Sequence, residues 1–190
     1  MKIKAILLTP VILLTACGGQ QLKPIHTVKH VDLERFMGDW YVIANIPTFI
    51  ETDAYNAIET YQLNKDGSIA TTFTFNKGAP DGEPKQYNPT GYIVDQESNA
   101  LWDMQFIWPF KAEYRVIYLD ENYETTIIGR SKRDYVWLMS RQPNIDNDNY
   151  KTLLSFIKSQ GYDIAKVKQV PQLWANESTS GINIDAGEKQ

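Results

Sequence analysis

The amino-acid sequence predicts an all-β fold, an eight-stranded up-and-down antiparallel barrel with one C-terminal α-helix packed outside. Two observations predict it. From Trp40 to Arg141, apolar residues recur with a period of two through eight short segments, each within a hairpin's reach of the next. A period of 3.6 residues is sustained with conviction once, after residue 146. Eight antiparallel neighbours with no helices between them must hide their edges, and closing the sheet on itself removes the edges altogether. Eight strands is also the size at which a closed barrel just holds one small ligand.

Taken in order, Val31, Leu33 and Phe36 suggest a short helical turn ahead of the first strand. That strand sets Trp40, Val42, Ala44 and Ile46 on one face and Tyr41, Ile43 and Asn45 on the other. The second places Ala57, Glu59, Tyr61 and Leu63 opposite Ile58, Thr60 and Gln62. Asn64-Lys65-Asp66-Gly67 then supplies a hairpin turn, with Gly67 available for positive φ. Ile69, Thr71, Phe73 and Phe75 follow on the third strand. Further strands are expected over 88–95, 100–108, 113–119, 124–130 and 134–141, separated by Asp-, Asn-, Gly- and Arg-containing turns. Tyr150, Leu153, Leu154 and Ile157 form one apolar stripe on a helix capped by Asp146 or Asp148 and stopped at Gly161. Residues 162–170 suit one more short strand. A membrane-spanning barrel of eight strands would alternate apolar-out and polar-in, whereas both strand faces here carry apolar residues and the helix needs a wall to sit against.

Composition narrows the chemistry. The net charge of −4 speaks against a surface built to grip nucleic-acid phosphates. Cys17 is the single cysteine, which excludes an internal disulfide framework and a Cys-rich metal site. The two histidines, His26 and His30, both precede the strands, so no metal or haem centre and no cofactor is expected in the barrel. No Gly-x-Ser-x-Gly occurs, and no strand histidine is present to act as general base, so the chain is read as a binding protein rather than an enzyme. Aromatic residues, by contrast, are abundant: 5 Trp, 11 Tyr and 7 Phe.

The N-terminus reads as an address. Lys2 and Lys4 precede an apolar stretch, Ala5 to Leu14, that at about ten residues is too short to span a bilayer, which takes about twenty. It ends in Leu14-Thr15-Ala16-Cys17, which resembles a bacterial lipoprotein signal cut before the cysteine that then carries the lipid. Residues 1–16 are accordingly expected as signal peptide, with a membrane anchor at Cys17; an ordinary secretory signal is the alternative. Loss of Lys2 and Lys4 with the signal takes the net charge from −4 to −6. Two acyl chains suffice for stable anchoring. Residues 17–30 then read as lipidated Cys and tether, 31–174 as the barrel domain and 175–190 as a flexible tail.

Three motifs carry a family resemblance. Phe36-Met37-Gly38-Asp39-Trp40-Tyr41 resembles the Gly-x-Trp opening motif of lipocalins. Leu119-Asp120-Glu121-Asn122-Tyr123 resembles their second motif, with Leu119 where the family usually has Thr, and Trp137-Leu138-Met139-Ser140-Arg141 resembles the third. Each alone is weak, but in this order and spacing, from about Val31 to Trp174, they are specific. With the lipoprotein signal, the chain resembles the bacterial branch of outer-membrane lipoproteins, similar also to plant temperature-induced lipocalins and apolipoprotein D. The resemblance implies a fatty-acid or lysophospholipid carrier (palmitate-like chains included) tethered at the cell outer membrane and facing the periplasm. It also implies architectural roles for Gly38, Trp40, Asp120 and Arg141, with the Arg141 guanidinium stacked on Trp40 at the closed end.

If Trp40 points inward, alternation assigns the lumen to Val42, Ala44, Glu59, Tyr61, Thr71, Phe73, Phe75, Ile93, Trp102, Met104, Phe106, Tyr114, Val116, Tyr135 and Trp137, with Tyr118 on the same face. This face suits a hydrophobic ligand with one polar end. The layers near Trp40 and Met139 are expected to be filled and the upper ones hollow. Glu59 must pair, reach water or take up a proton there; Tyr114, Tyr135, a ligand's head group or solvent after a register slip are its alternatives. Trp108 and Phe110, either side of Pro109, are expected at an exposed rim that touches a membrane, a second subunit as in a homodimer, or only each other. An interaction protein with a fully packed barrel, and an enzyme built on Glu59 and a tyrosine, stay open as alternative functions.

Overall fold

The computed structural model describes residues 23–174. A short helix α1 (Leu33–Phe36) leads into β1 (Gly38–Ile46), followed by β2 (Ala54–Leu63), β3 (Ile69–Lys77), β4 (Glu83–Tyr87), β5 (Thr90–Ile93), β6 (Leu101–Ile107), β7 (Phe110–Leu119), β8 (Thr125–Gly129) and β9 (Val136–Ser140). Helix α2 (Asn147–Ser159), a 3-10 turn (Ile164–Lys166) and β10 (Lys168–Gln169) complete it. Every neighbour is antiparallel, and β9 pairs back onto β1, so the wall closes. The fold is a closed eight-position barrel, with β4 and β5 sharing one position: β4 pairs the upper part of β3, and β5 joins the lower part of β3 to β6. The sequence expectation of one strand over 88–95 is met by β5 alone; β4 is an additional strand, and Pro89, which has no N–H for the ladder, lies between the two.

Helix α2 lies outside the wall. Asp146 caps it by accepting from the Asp148 and Asn149 amides, and Leu153 and Ile157 are buried against Ile43, Ile127, Val136 and Leu138. Residues 23–30, expected as part of a free tether, are instead laid along the barrel. Ile25 is buried in this outer cluster, and the Val28 amide donates to the Val116 carbonyl at 2.9 Å. The two branched apolar side chains in that polar run, Ile25 and Val28, pack against the two apolar clusters of the barrel. Cys17, the expected signal 1–16 and the tail 175–190 lie outside the described residues.

The C-terminal segment wedges into the wall. β1 and β2 pair only from Gly38 to Tyr41, and above that they diverge. β10 pairs Ala44 and Asn45 in the gap. Just beyond, Gln172 Nε2 donates to the carbonyls of Val42 (2.9 Å) and Ala57 (3.1 Å). Asn56, at φ 51°, grips the Leu173 backbone on both sides. These contacts satisfy carbonyl and amide groups that the splayed strands leave without partners.

The opposite end is sealed. Trp40 is fully buried, its Nε1 donating to the Phe36 carbonyl at 2.9 Å. The Arg141 guanidinium carbon sits 3.8 Å from the Trp40 ring centroid. Arg141 also donates to the carbonyls of Asp39 (2.6 Å), Met37 (2.8 Å), Arg35 (2.9 Å), Phe36 (3.0 Å) and Tyr123 (3.4 Å). Gly38 adopts φ +91°, open to glycine, and a Cβ there would meet Arg141 Nη1 at 3.4 Å. Asp120 accepts from the amides of Asn122 and Glu124 at 2.8 and 3.1 Å and from that of Thr125, fixing the β7–β8 turn over the same end. Arg141→Ala is expected to lower stability by about 3 kcal/mol, since it removes a stacked cation and strands several carbonyls. Arg141→Lys, a point charge without the planar fork, recovers only part of that. Urea unfolding of the three proteins, read at the midpoint, checks the order.

Candidate functional site

Above the seal the lumen is hollow. A cavity of about 420 Å³ opens at the end of the barrel away from Trp40 and Arg141, within the roughly 300–1,000 Å³ of small-molecule sites. Its depth is set by an aromatic floor: Phe36, Tyr61, Trp102 and Tyr114 pack with centroids 4.9 to 5.8 Å apart along Phe36–Tyr61, Phe36–Trp102, Tyr61–Trp102 and Trp102–Tyr114. The Tyr61 and Tyr114 hydroxyls are 2.6 Å apart. This hydrogen bond uses up polar groups that would otherwise face the cavity unpaired.

Of the residues assigned to the lumen by alternation, Glu59, Tyr61, Phe73, Met104, Phe106, Tyr114, Tyr135 and Trp137 border the cavity. Val42, Thr71, Phe75, Trp102 and Val116 are instead buried in the packing around and beneath it, and Ile93 packs against them half-buried. Trp102 is itself part of the floor, its Nε1 donating to the Asn99 carbonyl at 2.7 Å. Met139, expected in a filled layer, borders the cavity.

Two residues belong to the other face. Ala44 packs with Leu138 in the outer cluster against α2, and Tyr118 meets Phe156 of α2 at 5.4 Å. The reason is a pair of β-bulges. On β1 the register against β9 shifts between Val42 and Ala44, and on β7 the register against β8 shifts between Val116 and Tyr118. One extra residue, Ile43 or Ile117, reverses the alternation beyond it. After the first bulge Asn45, not Ala44, stands opposite Trp137.

The β1–β2 loop, which has no periodicity to flag it, supplies Thr48, Phe49, Ile50 and Glu51 to the cavity. Glu51 is buried at 3% exposure. It accepts from the Thr48 amide (2.8 Å) and, through its two oxygens, from Trp137 Nε1 (3.2 and 3.1 Å). Burial raises its pKa, and bonds from Thr48, Trp137 and Asn45 pull the other way. Across the mouth, β7 and the β8–β9 turn contribute Lys111, Glu113 and Arg130. Arg130 Nη1 pairs with Asp134 at 3.3 Å, while its Nε is buried without a hydrogen-bond partner among the described residues.

Glu59 is the exception at the inner end. It lies opposite Trp40 on β1 and Phe73 on β3, beside the Tyr61 hydroxyl, and its Oε2 is buried with no hydrogen-bond partner among the described residues. Desolvation, reinforced by the charge of Glu51, pushes its pKa up to about 8. Among the described residues no cluster of three or more His, Cys, Asp or Glu could hold a metal ion.

Comparison with known proteins decides the family. The model of the lipocalin-like domain matches residues 31–172. This chain belongs to the lipocalin family. The lipocalin is 32% identical to temperature-induced lipocalin-1 of Arabidopsis thaliana over 159 residues, 79% of this chain and 84% of that protein. It is 31% identical to the outer membrane lipoprotein Blc of Citrobacter freundii over 167 residues, 86% of this chain and 93% of that one. Among solved structures, insecticyanin of the tobacco hornworm Manduca sexta superposes with a TM-score of 0.63 at 15% identity, covering 80% of this chain and 86% of its own. That likeness concerns the fold.

Glu59 gives the site a pH signature. Its folded pKa lies above the ordinary carboxylate value, so its contribution to stability is complete below about pH 4.5 and is lost as pH rises through about 8. Wild-type stability is therefore expected to fall across this window by an amount on the order of a few kcal/mol. Glu59→Gln should flatten the decline. Urea midpoints at half-unit pH steps between 5 and 9 check this, and equal slopes for the two proteins would refute the assignment.

Proposed function

We propose that this lipocalin is a lipid-binding lipoprotein that stores or transports a fatty acid or lysophospholipid at the bacterial outer membrane, anchored through acylated Cys17. The observation that carries the reading is the open cavity of about 420 Å³, walled by Phe73, Met104, Phe106, Tyr135, Trp137 and Met139. A sixteen- to eighteen-carbon chain gains roughly 10 kcal/mol on burial before ordering costs, at about 0.8 kcal/mol per methylene. A cavity of this size does not fit an interaction protein whose barrel is packed throughout.

The polar groups orient the ligand. At neutral pH a Glu59 that titrates near 8 is protonated, so the inner end of the cavity carries no full charge to repel a hydrocarbon tail. An anionic head finds the Arg130 guanidinium at the mouth, whose Nε has no hydrogen-bond partner among the described residues. The chain enters tail first and the head stays at the opening. No bond is made or broken in this reading, and neither a cofactor nor a metal takes part. The Blc name, outer membrane lipoprotein, and the Leu14-Thr15-Ala16-Cys17 run support the location.

Displacement of a fluorescent fatty acid tests it. Saturable binding of one ligand per chain is expected, with competition from sixteen- and eighteen-carbon acids and lysophospholipids. Ala112 lies on the cavity wall opposite Met104. Ala112→Trp narrows the lumen and should weaken binding at least about tenfold, or about 1.4 kcal/mol. Absence of saturable binding across chain lengths in the wild type would overturn the proposal.

A further inference from the structure

The cavity mouth carries an exposed apolar rim, of which Phe49, Ile107 and Phe110 also border the cavity. Phe49 is 90% exposed, Trp108 81%, Phe110 75% and Ile107 72%. They come from the β1–β2 loop and the tip of the β6–β7 hairpin, at the open end. A soluble monomer seldom leaves several large apolar side chains grouped in water. Trp108 does not border the cavity, so it is not held there for a ligand inside the barrel.

A second observation is independent of the rim. The described chain starts at Lys23, whose carbonyl accepts from Arg133 Nη2 at 2.5 Å. Arg133 lies in the β8–β9 turn, which is at the mouth end because β9 runs from there down to Arg141 at the seal. From Lys23 the chain descends the wall to Val31 and α1 at the closed end. The six residues from Cys17 to Lys23 span at most about 20 Å, however they are arranged. A lipid on Cys17 thus enters the bilayer close to the mouth. To turn the seal toward the membrane, those residues would have to run back along the outside of the barrel.

We infer that the lipocalin stands on its own bilayer mouth down, with Phe49, Ile107, Trp108 and Phe110 inserted at the lipid surface. This orientation rests on the reading of Cys17 as the acylated residue. The whole chain is net negative, so attraction to anionic lipid does not drive the contact. Apolar insertion does, with the Trp108 indole at headgroup level, where tryptophan is favoured. The cavity then opens onto the surface that supplies and receives its ligand.

Mature acylated protein in vesicles of phosphatidylethanolamine and phosphatidylglycerol tests this. Acyl-chain bromination at shallow positions is expected to quench the emission lost in Trp108→Phe, with deeper bromination less effective. In addition, transfer of a fluorescent fatty acid from protein to vesicles should quicken in proportion to vesicle concentration. Trp108→Ser should slow this transfer at least about tenfold and make it independent of vesicle concentration, while its solution titration stays as in wild type. Unchanged Trp108 emission in brominated vesicles on protein whose mass shows an acylated Cys17 overturns the docking and leaves the anchor standing. An unacylated Cys17 overturns both. A dimer that buries Trp108 against a second copy and shields it from bromine also overturns the proposal, and a failed titration alone strikes only the lipid-carrier reading.

Discussion

One guanidinium organises the closed end. Arg141, the first residue after β9, reaches beneath the barrel to carbonyls in α1, at its C-terminal end, on β1 and in the β7–β8 turn, while its flat face covers Trp40. It thereby ties together the N-terminal segment, the first strand and the last. Lysine could supply the charge, but not the planar fork that satisfies several carbonyls while stacking on the indole. Because this end is filled with Phe36, Trp40 and Trp102 and locked by that fork, any opening must lie at the other. The direction of the cavity, the identity of the rim and the path of the N-terminal chain follow from the position of one side chain.

This part of the molecule was legible in the sequence because its signals are local. Gly38 stands two residues before Trp40, Asp120 opens a turn whose amides are its own neighbours, and Asp146 caps the helix whose stripe follows it. Period-two alternation likewise located the strands and, up to the first bulge, their inward faces. It failed at Ala44 and Tyr118 because Ile43 and Ile117 are ordinary strand residues, and nothing local distinguishes an extra residue from a paired one. The physical advantage appears only with the helix in place. The bulges let β1 and β7 give one face to the lumen below and extra isoleucine to the α2 interface above.

The upper half of the site was harder to read for a related reason. Glu51 sits in a loop without pattern, and its burial depends on Trp137 from β9 and Asn45 beyond the bulge. Gln172 and Asn56 are polar residues whose value is to satisfy backbone groups exposed by diverging strands. Such contacts join residues more than a hundred positions apart, and composition or periodicity carries no trace of them. The descent of 23–30 along the wall had one visible sign, the apolar pair Ile25 and Val28 within a polar run.

The two buried carboxylates differ in a way that separates structure from function. Glu51 has an amide and an indole N–H, and these hold the β1–β2 loop at the mouth, so packing and hydrogen bonding account for it. Glu59 receives no such support at Oε2, lies beside a second acidic side chain and is shifted toward its neutral form. An apolar residue of similar volume there would remove a desolvation cost that the hydrogen bond with Tyr61 offsets only in part. The fold therefore gives no reason for a carboxyl at this point. Its consequence is to place one group that can hold or release a proton at the inner end of a mostly apolar cavity.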